Sequence, residues 1–303
     1  LELIANNDEI IFLDPATDPY TGSEAGGWMS QNAAAINPII GSGSYDVGHV
    51  FSVYQAGSAA GIAQLSSVCG INKAFGCSTQ QQPVGEFFYL TAAHELGHQH
   101  SGGHTFNQCQ EDSQFTPSSS WEPGSGTTIL SYGGLCGSNN VGGDSDPYYH
   151  TGTISQFLNF IYNENGNNCG VLETTDNNPP TATILHPNGF YIPISTPFEL
   201  KGEATDADGD ELTYCWEQFD LGPTSPLGTP AGNGPVFRSI APTTASSRIF
   251  PRNANIINNI NSSTEILPTY TRTFKFRLTV RDNHPGAGGI DIKEMNFNAT
   301  DQA

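Results

Sequence analysis

The sequence predicts two domains of different class. Residues 1–172 read as an α/β (α+β) domain with a mixed sheet and a histidine-bearing helix, residues 173–180 as a linker, and residues 181–303 as an all-β sandwich. Three observations carry this. GNNCGVLETTDNNPPTAT (166–183) is an abrupt change of composition, with the Pro179–Pro180 pair marking a connection. Ahead of it, strand-like and helix-like periods alternate. Behind it, TATILH, PFELKGEAT, ELTYCWEQF, RTFKFRLTVRD and GIDIKEMNFNA all alternate with period two between turn-rich stretches.

In the first domain, ELIANNDEIIFLD (2–14) and YDVGHVFSVY (45–54) read as strands around MSQNAAAINPII (29–40), helical as far as Pro38. Strand, helix, strand implies a right-handed crossover. IAQLSSV (62–68) is a further strand, and GEFFYLTAAHELGHQ (85–99) a helix. TISQFLNFIYN (153–163) is another helix, opened by a Thr153-x-x-Gln156 capping box. In the second domain, the bases of FKFRLTVRD alternate with apolar residues, as on a solvated strand face.

Composition narrows the function. With 36% hydrophobic residues, 3 Trp, 11 Tyr and 17 Phe in 303 residues, the chain has material for two cores. No run of eighteen apolar residues occurs, so no membrane span is expected. Ten Lys+Arg against 30 Asp+Glu give a net charge of −20, and residues 1–170 hold one base, Lys73. Such a surface repels phosphate backbones, which argues against nucleic acid as a partner. Six scattered cysteines with no CxxC pair favour disulfides and an extracellular location, with any leader already removed. A monomer is expected.

The densest chemistry is AAHELGHQHSGGHTF (92–106). On a helix His94 and His98 share a face one turn apart, with Glu95 beside them, the H-E-x-x-H pattern of zinc proteases. Glu95 stays out of the ligand set, so that it can handle protons. Gly102 and Gly103 let the chain turn, and His104 returns to close a three-histidine Zn2+ site whose fourth position is left for water. His100, about 200° around the helix from His98, cannot share that face and reads as a solvated residue or one behind the site.

These residues resemble the metzincin metallopeptidases, whose motif is H-E-x-x-H-x-x-G-x-x-H followed by a Met-turn. His94, Glu95, His98 and His104 match. Ser101 departs from the family's Gly, and Gly102 and Gly103 are expected to take over the turn. TTILSYGG (127–134) looks like the Met-turn with Leu130 for Met, an apolar side chain of similar volume; Met29 and Met295 are badly placed for it. Tyr132 matches the tyrosine that astacin- and serralysin-like relatives use as a displaceable zinc ligand; the plainer alternative is a wall residue. The closest likeness is to the reprolysin (adamalysin/ADAM-type) branch in its bacterial secreted form. AGIAQLSSVCG (60–70) looks like that branch's edge strand and following Cys, and NNCGVL (167–172) like its closing Cys.

The resemblance implies a Cys69–Cys169 disulfide, beside the local alternative Cys69–Cys77; Cys109 and Cys136 are further disulfide candidates. It implies an extended peptide pairing with Gly61, Ile62, Ala63, Gln64 and Leu65, and a strand and helix ahead of residue 1, with LELIAN as the second strand. The function implied is a secreted zinc endopeptidase acting on protein or peptide substrates, with Glu95 as general base. One alternative is an inactive metzincin-like adhesion or matrix-binding protein; another is a zinc deacetylase or amidase.

TDADGDELTY (205–214) places Asp206, Asp208 and Asp210 on alternate positions of a turn, an oxygen cluster suited to Ca2+ or simply an acidic turn. It is not an EF-hand, since Gly209 comes at loop position four and a strand follows. The domain resembles the PKD/Ig-like modules of secreted bacterial enzymes. Trp216 is expected in its core, and Cys215 buried and free.

Overall fold

The computed structural model describes residues 2–53, 59–81, 84–109 and 114–302. Contacts gather the chain into two units, Leu1–Gly103 with Ile154–Leu172, and His104–Thr153 with Glu173–Ala303. This boundary at Gly103/His104 does not coincide with the one expected after residue 172. The reason is chemical: Ser225 N–H donates to Asn107, Tyr148 is bonded to Ser239, and Thr151 N–H donates to Glu217.

In the first unit, α1 (Ala25–Ile40) buries Ala25, Trp28, Asn32, Ile36 and Ile40, the three-to-four spacing of one helix face. It runs through Pro38 rather than stopping there. Ile40 still has a core to enter, and Gly41, at φ +80°, closes the last turn with its N–H on Asn37. The strand expected over 2–14 does not form. The turn-forming Asn6–Asn7–Asp8 run instead makes a 3₁₀ turn, Asn7–Ile10, and Ile4 and Ile10 pack against the α1 cluster. Without that strand the expected crossover is absent.

The sheet comprises β1 (Val50–Val53), β2 (Gly61–Ala63) and β3 (Gly76–Gln80), ordered β1-β3-β2. It is mixed, as expected: β1 runs parallel to β3 with Val50 opposite Cys77, and β2 antiparallel with Ile62 opposite Cys77. Tyr54, the end of the expected 45–54 strand, lies outside the described residues. The 62–68 strand stops at Ala63, because Ser66 and Val68 turn away to donate to the His98 and Gln99 carbonyls. Helix α2 (Glu86–Gln99) packs on β2 and β3.

Helix α3 (Thr151–Asn163) starts two residues before the expected cap. The capping box does not form: Gly152 N–H donates to His150 Nδ1, Thr151 N–H to Glu217, and Gln156 accepts from Gly103 N–H. A Cys69–Cys169 disulfide closes the first unit across 100 residues, leaving Cys77 buried and free, so the local Cys69–Cys77 alternative is not formed. Closing a loop of that length constrains the unfolded chain by about 4–5 kcal/mol.

The second unit carries β4 (Thr181–Ile184), β5 (Phe190–Pro193), β6 (Phe198–Thr205), β7 (Thr213–Gln218), β8 (Ser247–Phe250), β9 (Arg272–Arg281) and β10 (Ile290–Thr300), with the short helix α4 (Asn253–Ile257) between β8 and β9. One sheet is ordered β5-β10-β9-β7 and the other β4-β6-β8. Alternate residues of both fill one core, including Phe198, Phe250, Phe274, Phe276, Phe297 and the expected Trp216, joined by Phe237 from the segment between β7 and β8. Cys215 is buried and free, and Cys109 pairs with Cys136. The basic face of β9 is not simply solvated, since the Arg277 guanidinium covers the Phe219 ring at 3.4 Å.

Candidate metal centre

Helix α2 is seated by polar groups. Gln99 is fully buried; its amide donates to Gly48 and Lys73 carbonyls and to Ser67 Oγ, and its carbonyl accepts from His49 Nδ1. Ser78 Oγ donates to the other His49 nitrogen. Burial pushes His49 down to about 4, so it stays neutral in that double bond.

The helix ends in a Schellman turn: Gly102 N–H reaches Gly97 O at 2.9 Å and Ser101 N–H reaches His98 O at 2.9 Å. The left-handed residue this turn demands is Ser101, at φ +77°. Neither Gly102 nor Gly103 takes over, contrary to expectation, because the bonding places the reversal one residue earlier. A serine there costs about 1 kcal/mol relative to glycine, partly offset by the bond from Ser66 Oγ at 3.0 Å.

That turn also aims His98. Its Nδ1–H donates to Gly102 O at 2.7 Å, which leaves Nε2 as a lone-pair donor. His94 Nε2 stands 3.1 Å from His98 Nε2. Residue His104 is fixed the same way, its Nδ1–H donating to Gln114 O at 2.8 Å. Ring nitrogens of His94, His98 and His104 lie within 4.8 Å of one another. A tetrahedral zinc with Zn–N bonds of about 2.0–2.1 Å sets nitrogen separations of about 3.3–3.4 Å. Three imidazoles brought together, two of them with the other ring nitrogen tied to a carbonyl, fit such an ion. Burial also lowers His98, favouring the neutral ligand form.

Glu95 is buried, and desolvation pushes its carboxyl up to about 8; a nearby cation would pull it back down. Its carboxylate lies against Gly61, where an added Cβ would fall 2.3 Å from Oε1 and 2.6 Å from Cδ. This close approach requires glycine. Gly61→Ala should therefore displace Glu95 rather than unfold the domain. The expected outcome is a folded chain with metal content unchanged, checked by near-UV circular dichroism and metal analysis; an unfolded variant would show that Glu95 cannot give way.

Behind His104 the chain is tightly held. Ser119 Oγ donates to His104 O, and Thr105 N–H donates to the carbonyl of Leu130, which is fully buried. The Tyr132 ring packs edge-on against His104 with centroids 4.6 Å apart and stacks on Phe106 at 4.8 Å. Glu122, absent from the sequence-derived site, is buried beside Thr105, Thr127 and Thr128. Its one sequence signal was an acid directly before Pro-Gly-Ser-Gly and two threonines.

The other expected residues do not join the histidine cluster, though Gly61 lies against Glu95. His100 turns away, with Nδ1–H on Leu96 O and its ring against Phe157. Gly61, Ile62 and Ala63 lie on edge strand β2; Gln64 N–H closes on Phe75 O, and Leu65 is exposed beyond it. Carboxylates of Asp206, Asp208 and Asp210 come within 4.8 Å of one another. Asp206 Oδ1 accepts the amides of Asp208, Gly209 and Asp210 while its Oδ2 is buried without a hydrogen-bond partner among the described residues, Asp208 accepts from Asn178, and Asp210 is paired with His284. The grouping is compatible with an acidic turn and with a cation held by the three carboxylates, and it does not by itself assign Ca2+.

A family model for the reprolysin-like metallopeptidases of family M12B matches residues 1–105. No curated protein matches the chain. Among solved structures, the chain is similar to AggA, the major subunit of aggregative adherence fimbriae type I from Escherichia coli, at 15% identity and a TM-score of 0.20, over 42% of this chain and 99% of that one. A superposition that loose carries no argument. The family match supports a metzincin-like kinship for the segment that holds Glu95 and all three histidines.

Proposed function

We propose that the protein is a secreted zinc-dependent endopeptidase. The observation that carries this is the convergence of His94, His98 and His104, with two imidazoles fixed through carbonyl bonds at Nδ1 and a buried carboxylate one residue from the first ligand. When bound there, zinc would act as a Lewis acid toward a peptide carbonyl and acidify water. Glu95 would take up a proton during attack on the carbonyl and pass it to the leaving amine. The reprolysin-like match and the two disulfides fit that activity and an oxidising compartment.

Substrate alignment follows from the edge strand. Ala60 O accepts from Thr79 N–H of β3 and Gln64 N–H donates to Phe75 O just before β3, so the intervening Gly61 and Ala63 direct their main-chain groups outward. An extended peptide adding there would lie beside Glu95, because Gly61 touches both. Residues 181–303 we take as a PKD/Ig-like module. The Tyr132 ring packs against His104, where it would serve either as a wall of the site or as a displaceable zinc ligand.

The test is hydrolysis of casein or gelatin with and without a chelator. Activity abolished by chelation and restored by Zn2+ is expected; chelator-insensitive hydrolysis, or none by a zinc-loaded protein, would reject the reading.

A further inference from the structure

We propose that Glu122 is a positioning residue for the metal centre, its buried carboxylate setting how firmly His104 is held. This rests on the metal-site reading above. Glu122 is 1% exposed. Its Oε1 accepts from Thr105 Oγ1 at 2.7 Å and Thr128 Oγ1 at 2.5 Å. Its Oε2 accepts from Thr127 N–H at 2.8 Å and Thr128 N–H at 3.3 Å. The main chain repeats the link, with Glu122 N–H on Thr105 O and Asn107 N–H on Glu122 O.

Two of these connections bear on the site. Thr105 immediately follows His104, and Thr127–Thr128 open the turn whose Leu130 carbonyl receives Thr105 N–H. One carboxylate therefore fastens the chain leaving the third imidazole to the turn behind it. None of the ion pairs among the described residues involves Glu122. Its charge is balanced by four hydrogen-bond donors instead, an arrangement that holds only while all four stay in place. Groups that orient a metal ligand without touching the metal govern affinity as well as activity.

The neutral Glu122→Gln variant keeps the shape but exchanges one acceptor oxygen for an NH₂ that faces donors. Thr105→Val removes a single donor and leaves the carboxylate in place. Glu265→Gln, a buried carboxylate of the sandwich paired with Arg248, serves as a matched control for lost stability. Zn2+ affinity is measured by chelator competition on the full chain, with near-UV circular dichroism reporting the fold and the visible bands of the Co2+-loaded protein reporting ligand geometry.

Glu122→Gln should weaken Zn2+ binding about 10–100-fold and shift the Co2+ bands, Thr105→Val should do so about three- to tenfold, and Glu265→Gln should leave both unchanged. Zn2+ affinity within twofold of the unsubstituted chain in the folded variants would overturn the proposal. If Glu122→Gln does not fold, Thr105→Val decides it by the same threshold. An unsubstituted chain that fails to bind Zn2+, or a His104→Ala variant that binds it as tightly, would instead overturn the metal reading, and the role of Glu122 with it.

Discussion

Glu95→Ala is expected to retain its metal and lose peptidase activity by about 10²–10⁴-fold, the range that general acid–base groups contribute. Two features make the separation clean. Glu95 is not among the three converging imidazoles, so metal content should not change. Its buried carboxyl is disfavoured as a charge, so its removal should cost the fold little. Metal analysis beside a casein assay checks both halves. Comparable activity in the variant would remove Glu95 from the mechanism, and a metal-free variant would show that it acts in binding the ion.

Ending the chain at Leu172 should have an effect of similar size by a different route. Residues 104–153 lean on the β-rich part of their own unit: Trp121 stacks between His150 and Phe219, and Glu217 accepts from Thr151 N–H and Ser239 Oγ. Asn107, three residues after His104, donates to Pro223 O and accepts from Ser225 N–H. Each buried aromatic contributes about 1.5–3 kcal/mol and each hydrogen bond about 1 kcal/mol. Losing them together is comparable with a domain's whole stability of about 5–15 kcal/mol. A 1–172 chain should therefore lose its near-UV signal and bind Zn2+ at least about a hundredfold more weakly. A fragment with full affinity would make the sandwich a detachable appendage.

Much of the site was legible because its code is local. Helix phase alone separates His94 and His98 from His100, and the structure places His100 against Phe157, away from the cluster. Alternation likewise located five of the seven sandwich strands, missing the short β5 and β8, and their inward residues line one aromatic core. The reading failed where local preference and tertiary demand diverged. ELIANNDEIIFLD alternates enough to suggest a strand, yet its Asn-Asn-Asp run turns. Pro38 should have ended a helix that continues because Ile40 has a cluster to join. Gly102 and Gly103 drew attention as turn-formers while Ser101 carries the left-handed backbone.

The sequence by itself determined which side chains can ligate, which carboxylate stands beside them, and where α2 and five of the sandwich strands lie, since these follow from spacing along short segments. Only the tertiary structure decided that Glu122 braces the third histidine's segment, that Gly61 makes room for Glu95, and that residues 104–153 belong by contact with the sandwich. Those are matters of pairing buried donors with acceptors tens of residues apart, and no local period encodes them.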